Sequence, residues 1–138
     1  MKRFAPILIL VLATVLWSGC KKEDLVDPTT NDIEDITTQE QMDAKIASGV
    51  SLIFYHASWC TLCKEQRPAV EAVSEDAVNA EVGFGEIEYD EHKDIVKSKN
   101  INGFPTIVIY VDGKEHIRFD GKGHSQAQIQ QGIDSARD

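Results

Sequence analysis

The pattern of apolar and polar residues predicts two strands in the first two thirds of the chain. VSLIFYHA, residues 50–57, is almost continuously apolar and rich in strand-forming residues, which is typical of a central strand buried on both faces. VGFGEIEYD, residues 82–90, alternates instead, so that Phe84 and Glu86 lie on the same side. We therefore expect two strands of different character, with a helix between them.

A hairpin is predicted near the end of the chain. PTIVIYV, residues 105–111, and KEHIRFD, residues 114–120, both have strand character, and Asp112-Gly113 joins them. An Asp-Gly pair adopts the positive φ angles that a two-residue hairpin turn requires. We expect this hairpin to add antiparallel edge strands to the sheet.

Helical spacing of apolar residues occurs in four further segments. Thr37 is followed three residues later by Glu40, and Ser125 by Gln128, and both pairs match the capping box that begins many helices. Pro68 interrupts the second segment, and because proline removes one hydrogen bond we expect that helix to bend there rather than end. The four predicted helices are QEQMDAKIAS, the segment that follows Cys63, EHKDIVKSKN and QAQIQQGIDSAR.

The order of these elements predicts one α/β domain. The early strand, helix and strand imply parallel pairing through a right-handed crossover, and the hairpin adds antiparallel strands. The result is a mixed central β-sheet with helices on both faces. A chain of 138 residues with 42% hydrophobic content suits one domain, and a formal net charge of −9 argues against nucleic-acid binding.

The first twenty residues have the pattern of a secretory signal. Lys2 and Arg3 precede an apolar run over residues 4–17, which is shorter than the roughly 20 residues of a membrane span. A Ser-Gly pair then leads into Cys20, and this ending resembles a bacterial lipoprotein signal, in which the cysteine is lipidated and becomes the N-terminus. Trp17 stands where that pattern usually has leucine. The alternative is an ordinary signal peptide cut nearby, which would leave Cys20 as a free thiol.

These features divide the chain into three parts. Residues 1–19 form the predicted lipoprotein-type signal peptide, residues 20–32 a flexible polar tether, and residues 33–138 the folded domain. Removal of the signal peptide would change the formal net charge from −9 to −11. The domain would then lie outside the cytoplasm, where disulfides persist.

The segment HASWCTLCKEQRP contains Cys60 and Cys63, which a metal, a structural disulfide or redox chemistry would each explain. Zinc requires two further ligands; Cys20 lies on the tether, and we expect no metal site. We interpret His56 as a strand-end residue, because a strand followed by a turn does not place it on one helical face with Cys60. The four histidines are scattered along the chain, at His56, His92, His116 and His124.

The position of the pair after a strand and before a helix favours redox chemistry. Cys60 falls at the predicted helix N-terminus, where unpaired N–H groups and the helix dipole stabilise a thiolate. Cysteines in such settings have pKa values of roughly 3.5–7.5, against about 8.5 for a free thiol. Cys60 is therefore the expected attacking sulfur, and Cys63, nearly one turn later, the expected resolving sulfur.

Two segments, FYHASWCTLCKEQRPAV and NINGFPTIVIYVDGKE, resemble the thioredoxin family over about residues 33–136. The resemblance implies the thioredoxin fold and a redox-active Cys60–Cys63 disulfide. It also implies a cis peptide bond at Pro105, backbone hydrogen bonds from Phe104 to an extended client peptide, and an apolar groove wall at Trp59. Within the family, the cysteine segment is most similar to extracytoplasmic members, including the C-terminal domain of the thiol:disulfide interchange reductase.

The chain departs from the family at Phe54, where cytoplasmic thioredoxins have a buried acid. Glu86 on the next strand is the candidate substitute, since alternation could direct it beneath the cysteine pair. A buried carboxylate without partners would have a raised pKa, which suits proton transfer near neutral pH. The alternative is that Glu86 is an ordinary solvated strand residue, and we interpret the acidic residues that follow it as a solvated face.

These observations predict a thiol:disulfide oxidoreductase that reduces extracytoplasmic client proteins. It would act as a lipid-anchored monomer in the bacterial periplasm or cell envelope, without a cofactor, and a membrane thiol electron carrier would restore its dithiol. Two alternatives stay open. The protein could work as a disulfide oxidase or isomerase, because direction depends on redox potential, or it could be a non-catalytic module that binds peptides.

Overall fold

The computed structural model describes residues 32–138; the predicted signal peptide, Cys20 and the tether up to residue 31 lie outside the described residues. Within 32–138 no helix combines the length and apolar character needed to cross a membrane. The strands are β1 (Glu34–Asp35), β2 (Val50–His56), β3 (Gly83–Glu88), β4 (Thr106–Val111) and β5 (Lys114–Asp120), and the helices are α1 (Gln39–Ile46), α2 (Thr61–Ser74), α3 (Lys93–Ser98) and α4 (Gln126–Ser135).

The five strands form one mixed sheet in the order β1-β3-β2-β4-β5. β2 lies at its centre, parallel to β3 and antiparallel to β4, which confirms the central strand predicted from residues 50–57. In this register Phe54 is opposite Glu86 on one side and Ile107 on the other. Directly opposite residues share a face of the sheet, so the side chains of Phe54 and Glu86 lie on the same face.

Helices cover both faces of the sheet, as the sequence predicts. On one face Phe54 belongs to a buried cluster with Cys63 of α2 and Ile129 of α4. On the other face Tyr55 belongs to a second cluster, with Met42 of α1 and with apolar residues of α3. The cysteine pair therefore lies on the α2 and α4 side of the sheet.

The sheet differs from the predicted one at both ends. β1 was not predicted, because it has only two residues, both acidic and exposed; it pairs in parallel with β3, with Glu34 opposite Gly85. The prediction that both hairpin strands lie at the edge is wrong for β4, which lies between β2 and β5. Its continuous apolar sequence is typical of such a strand, since both of its faces are covered.

Local signals at element ends are mostly confirmed. The turn has positive φ angles at Asp112 and Gly113, and Ser125 begins α4 through a capping box. α2 continues through Pro68. The cap of α1 is one residue later than predicted, because Thr38 rather than Thr37 accepts the backbone N–H of the third helical residue and that residue is a glutamine able to complete the box.

Candidate active site

The cysteine pair lies where β2 passes into α2. A short turn, in which the Cys60 N–H donates to the Ala57 carbonyl over 3.1 Å, connects the end of the strand to the helix. Cys60 is the N-cap residue of α2, and its Sγ accepts the Cys63 N–H at 3.1 Å. The helix N-terminus thus directs an amide donor at this sulfur, as the sequence predicts.

The two sulfurs are joined as a disulfide and are almost buried. Cys60 exposes 6% of its surface and Cys63 only 3%. Both belong to the apolar cluster beneath α2 and α4. Cys60 is the more exposed residue of the two.

Apolar side chains surround the entrance to this pair. Trp59 is 63% exposed and Leu62 41% exposed; they are two of the three large hydrophobic residues exposed in the range 32–138. The Phe104 ring packs edge-on against Trp59 with ring centroids 6.2 Å apart, and the Phe104–Pro105 peptide bond is cis. The aromatic contact brings the loop before β4 beside the loop that carries Cys60.

Acidic residues at the end of β3 and just after it hold the cysteine loop in place. Asp90 accepts the Trp59 indole N–H at 2.6 Å, and Glu88 accepts the Ser58 N–H at 2.8 Å. Partial burial raises the pKa of Glu88, but backbone N–H donors, including that of Ser58, outweigh it and hold the pKa below its ordinary value. The interpretation of these residues as a merely solvated face is therefore wrong for Glu88 and Asp90.

Glu86 lies on the cysteine side of the sheet, as predicted, but it has partners. Its Oε2 accepts from Arg67 Nη2 of α2 at 2.6 Å and lies 3.3 Å from His56 Nε2. Burial raises the pKa of Glu86, yet the hydrogen bonds from His56 and Arg67, with their charges, hold it below the ordinary value. The expected raised pKa is wrong, because that expectation assumed an unpaired carboxylate.

Sequence reasoning missed His56 and Arg67 as members of this cluster. The His56 ring stacks on Phe54 with centroids 5.4 Å apart, and the Arg67 guanidinium lies 5.3 Å from the centre of the same Phe54 ring. The alternation of β2 places His56 and Phe54 on one face, and that signal was available. The sequence carries no comparable signal for Arg67, because α2 and β2 come into contact only in the folded protein.

The other histidines lie elsewhere in the fold. His116 contacts Ser135, and His124 contacts the Asp120 carbonyl. Among residues 32–138 no three His, Cys, Asp or Glu side chains converge in the way that a metal ion requires. Within this part of the chain, the chemistry concentrates at the cysteine pair and at the adjoining His56, Glu86 and Arg67.

Comparison with known proteins agrees with this geometry. A family model described as Thioredoxin matches residues 34–135. A thioredoxin from Chlamydia caviae is 30% identical over 86 residues, which cover 62% of this chain and 82% of that protein. Thioredoxin-2 from Saccharomyces cerevisiae is 30% identical over 105 residues, or 75% of this chain and 97% of the relative.

Longer proteins and solved structures share the same region. The protein disulfide-isomerase 2-3 of Arabidopsis thaliana is 26% identical over 118 residues, covering 85% of this chain but only 27% of that protein. The crystal structure of Malassezia sympodialis thioredoxin matches with a TM-score of 0.70 and 24% identity, over 80% of this chain and 95% of the other. Because the sequence identity is only 24%, this structural match is evidence for the fold alone.

Proposed function

This chain belongs to the thioredoxin family and is a thiol:disulfide oxidoreductase with Cys60 and Cys63 as its active pair, and from that premise we propose that it reduces disulfides of extracytoplasmic client proteins. The single observation that carries the proposal is the N-cap position of Cys60. Its sulfur accepts the amide of Cys63 and is joined to Cys63 as a disulfide at the edge of an exposed apolar surface.

The proposed cycle begins with both cysteines reduced. The Cys60 thiolate attacks one sulfur of a client disulfide, which forms a Cys60–client bond and releases the other client sulfur as a thiolate. Cys63 then loses its proton and attacks Cys60, which releases the second client thiolate and leaves the Cys60–Cys63 disulfide. Two electrons pass to the client, and its two thiolates take up two protons.

Client binding is assigned to the apolar surface around the pair. Trp59 and Leu62 offer exposed apolar area beside Cys60, and the Phe104 ring packs against Trp59. An extended peptide would pair with the Phe104 backbone while its cysteine faces Cys60. Exposed apolar patches of this kind mark binding sites on soluble domains.

The proposed location rests on the N-terminal pattern. Lipidation at Cys20 would anchor the domain to a membrane in the bacterial periplasm or cell envelope, with residues 20–32 as the tether. A thiol carrier in that membrane would supply two electrons and two protons to regenerate the dithiol. The domain acts as a monomer in this proposal, since the cycle needs one pair of cysteines.

Trapping of clients tests the proposed activity. Cys63→Ala removes the resolving thiol, so Cys60–client disulfides should accumulate and migrate as adducts in non-reducing gels that collapse on addition of dithiothreitol. Cys60→Ala is the matched control and should give no adducts at the active site. Absence of adducts in Cys63→Ala, together with a wild-type disulfide that dithiothreitol does not reduce, would instead favour a non-catalytic binding module.

The reduction potential of the Cys60–Cys63 couple decides the direction of transfer. We expect a value near about −270 mV, the potential typical of thioredoxin, from equilibration against glutathione or dithiothreitol buffers. A potential of about −180 mV, as in protein disulfide isomerase, or about −120 mV, as in a strong thiol oxidant, would overturn the reducing direction. Because the chain is similar to the Arabidopsis disulfide isomerase, a reduction potential typical of an isomerase is the first alternative to exclude.

A further inference from the structure

The second step of the proposed cycle requires the Cys63 thiol to lose a proton, because the thiolate is the nucleophile. Cys63 is only 3% exposed, so bulk water has little access to it. Phe54 belongs to the same buried cluster as Cys63, and its side chain cannot take a proton. A proton acceptor must therefore come from another side chain on this face of the sheet.

Two basic groups and one acid adjoin Phe54. His56 stacks on the Phe54 ring, and Arg67 lies over that ring at 5.3 Å. Glu86 joins the two, with its Oε2 at 3.3 Å from His56 Nε2 and 2.6 Å from Arg67 Nη2. The side chains of His56, Glu86 and Arg67 are all partly buried, at 15%, 20% and 33% exposure.

Of the three, His56 is the group whose neutral side chain carries a basic ring nitrogen. Arg67 is permanently protonated. The Glu86 carboxylate is occupied by two cationic or hydrogen-bonding partners that lower its pKa, which makes it a weak base. Because His56 Nε2 faces that carboxylate, the proton of a neutral ring lies on Nε2 and Nδ1 remains as the basic nitrogen.

We propose that His56, oriented by Glu86 and Arg67, receives the proton of Cys63 during resolution of the mixed disulfide. This inference rests on the proposed function and names the proton path of that same site. His56 acts directly or through one water molecule. Glu86 is a positioning residue that holds the ring, and Arg67 fixes Glu86 from α2.

The step balances without a further reactant. The Cys63 S–H bond breaks and its proton passes to Nδ1 of His56, giving an imidazolium beside the Glu86 carboxylate. The Cys63 thiolate forms the bond to Cys60 Sγ, and the Cys60–client bond breaks with its electron pair on the departing client sulfur. His56 returns its proton to solvent or to the client thiolate.

The surroundings favour a transient imidazolium at this place. β3 contributes two carboxylates toward His56, those of Glu86 and Glu88, and α2 contributes the opposing cation of Arg67. Arg67 and Glu86 also line a surface cavity of about 300 Å³ together with Glu71. That cavity gives the cluster contact with solvent, through which the proton can leave.

Two-phase reaction with 5,5′-dithiobis(2-nitrobenzoate) separates the two cysteines. The full chain, carrying Cys20→Ala so that only the active pair reacts, is reduced and mixed with limiting reagent. Attack by Cys60 releases the first thionitrobenzoate at a rate that depends on reagent concentration. Attack by Cys63 on the mixed disulfide releases the second at a concentration-independent rate, and Cys63→Ala identifies this phase by losing it.

We expect His56→Gln to slow the second phase by about 100-fold at pH 7, at the lower end of the range that a general base contributes. The first phase should change by less than about twofold, and the deficit should shrink toward pH 9 as the thiol ionises unaided. Glu86→Gln should slow the second phase less and displace its pH midpoint. His124→Gln, a histidine outside the cluster, is the matched control and should leave both phases unchanged.

The outcomes distinguish this inference from the proposed function. A second phase in His56→Gln that matches wild type at pH 7 overturns the proton path while leaving the oxidoreductase proposal intact. Absence of the first phase in the parent protein overturns the proposed function itself. Circular dichroism checks folding; if His56→Gln does not fold, Glu86→Gln decides, and an unshifted second-phase pH profile in that variant overturns the inference.

Discussion

The Cys60 sulfur shows how one residue's chemistry follows from its place on an element. At the N-cap of α2 it accepts the Cys63 N–H, which also donates to the Cys60 carbonyl at 3.2 Å, and Cys60 remains the more exposed member of the pair. A thiolate at this site is stabilised by the same donor. Cys63, one helical turn inward, lacks that exposure and depends on a neighbouring group to remove its proton.

Glu86 illustrates how partners reverse the effect of burial on a carboxyl group. Burial alone raises the pKa of an acid, and His56 and Arg67 more than compensate here. A residue that sequence reasoning treats as a solitary buried acid is in fact the centre of a small ionic cluster. Its charge is therefore part of the stability of the folded state.

Glu86→Gln should make the free energy of unfolding less dependent on pH in the acidic range. Because the pKa of Glu86 is lower in the folded than in the unfolded chain, its contribution is complete above an ordinary glutamate pKa of about 4.3 and is lost as pH falls through the folded-state pKa. Urea unfolding at pH 7 should show the variant less stable by roughly 1.5–3 kcal/mol, as for a hydrogen bond to a charged group.

At pH 3 the gap between wild type and Glu86→Gln should narrow. Glu81→Gln, at an exposed position after α2, serves as the control and should show no comparable gap at either pH. An equal difference in the free energy of unfolding at pH 3 and pH 7 would contradict this assignment. The loss of stability in Glu86→Gln would then not depend on the negative charge of the Glu86 carboxylate.

At the scale of elements, α4 packs unusually close to the sheet at Gly132. A Cβ built on Gly132 would lie 2.9 Å from Ile109 Cδ1 on β4 and 2.9 Å from Phe119 Cζ on β5. The absent side chain thus allows the helix to lie directly on the hairpin. The helical sequence alone shows only a weak helix former at this position.

Gly132→Ala should therefore destabilise the domain although alanine favours helix. Helix propensity gains up to about 1 kcal/mol, while overpacking costs about 1–3 kcal/mol, and the rigid Phe119 ring makes the cost the larger of the two. Thermal and urea unfolding measure the difference. Gly103→Ala, where a Cβ meets nothing within 4 Å, is the matched control; a variant at 132 more stable than wild type would refute this packing argument.

At the scale of the whole molecule, the sheet order brings the active site together. β2 supplies His56 and leads to the cysteine pair, β3 supplies Glu86 on one side, and the loop before β4 supplies Phe104 on the other. Both neighbours of β2 thus contribute to the site. Placement of β4 inside the sheet, rather than at its edge, is what brings Phe104 against Trp59, next to the cysteine pair.

The membrane anchor is a prediction for the full chain. Wild-type protein expressed in bacteria should incorporate an alkyne-tagged fatty acid and partition with membranes, whereas Cys20→Ala should do neither. Cys63→Ala, which leaves the signal region intact, should behave like wild type. Fatty-acid labelling that persists in Cys20→Ala would show that the lipid is attached elsewhere and that the lipoprotein assignment is mistaken.

The sequence by itself determined the features that depend on neighbours along the chain. The periodicity of apolar residues and the residues typical of turns predicted β2, β3, the hairpin and all four helices. The position of Cys60 between a strand and a helix predicted its capping role. Each of these follows from backbone geometry over a few residues, which local side chains control. The resemblance of two segments added the fold and the redox pair.

Only the tertiary structure decided which distant residues meet. The two-residue β1 has no local signal and exists because β3 offers it an open edge. The partners of Glu86 come from β2 and α2, separated from it by 30 and 19 positions, and they reverse the pKa expected of it. Such contacts depend on strand order and helix docking, because the free energy that fixes them comes from burying the whole sheet rather than from any one segment.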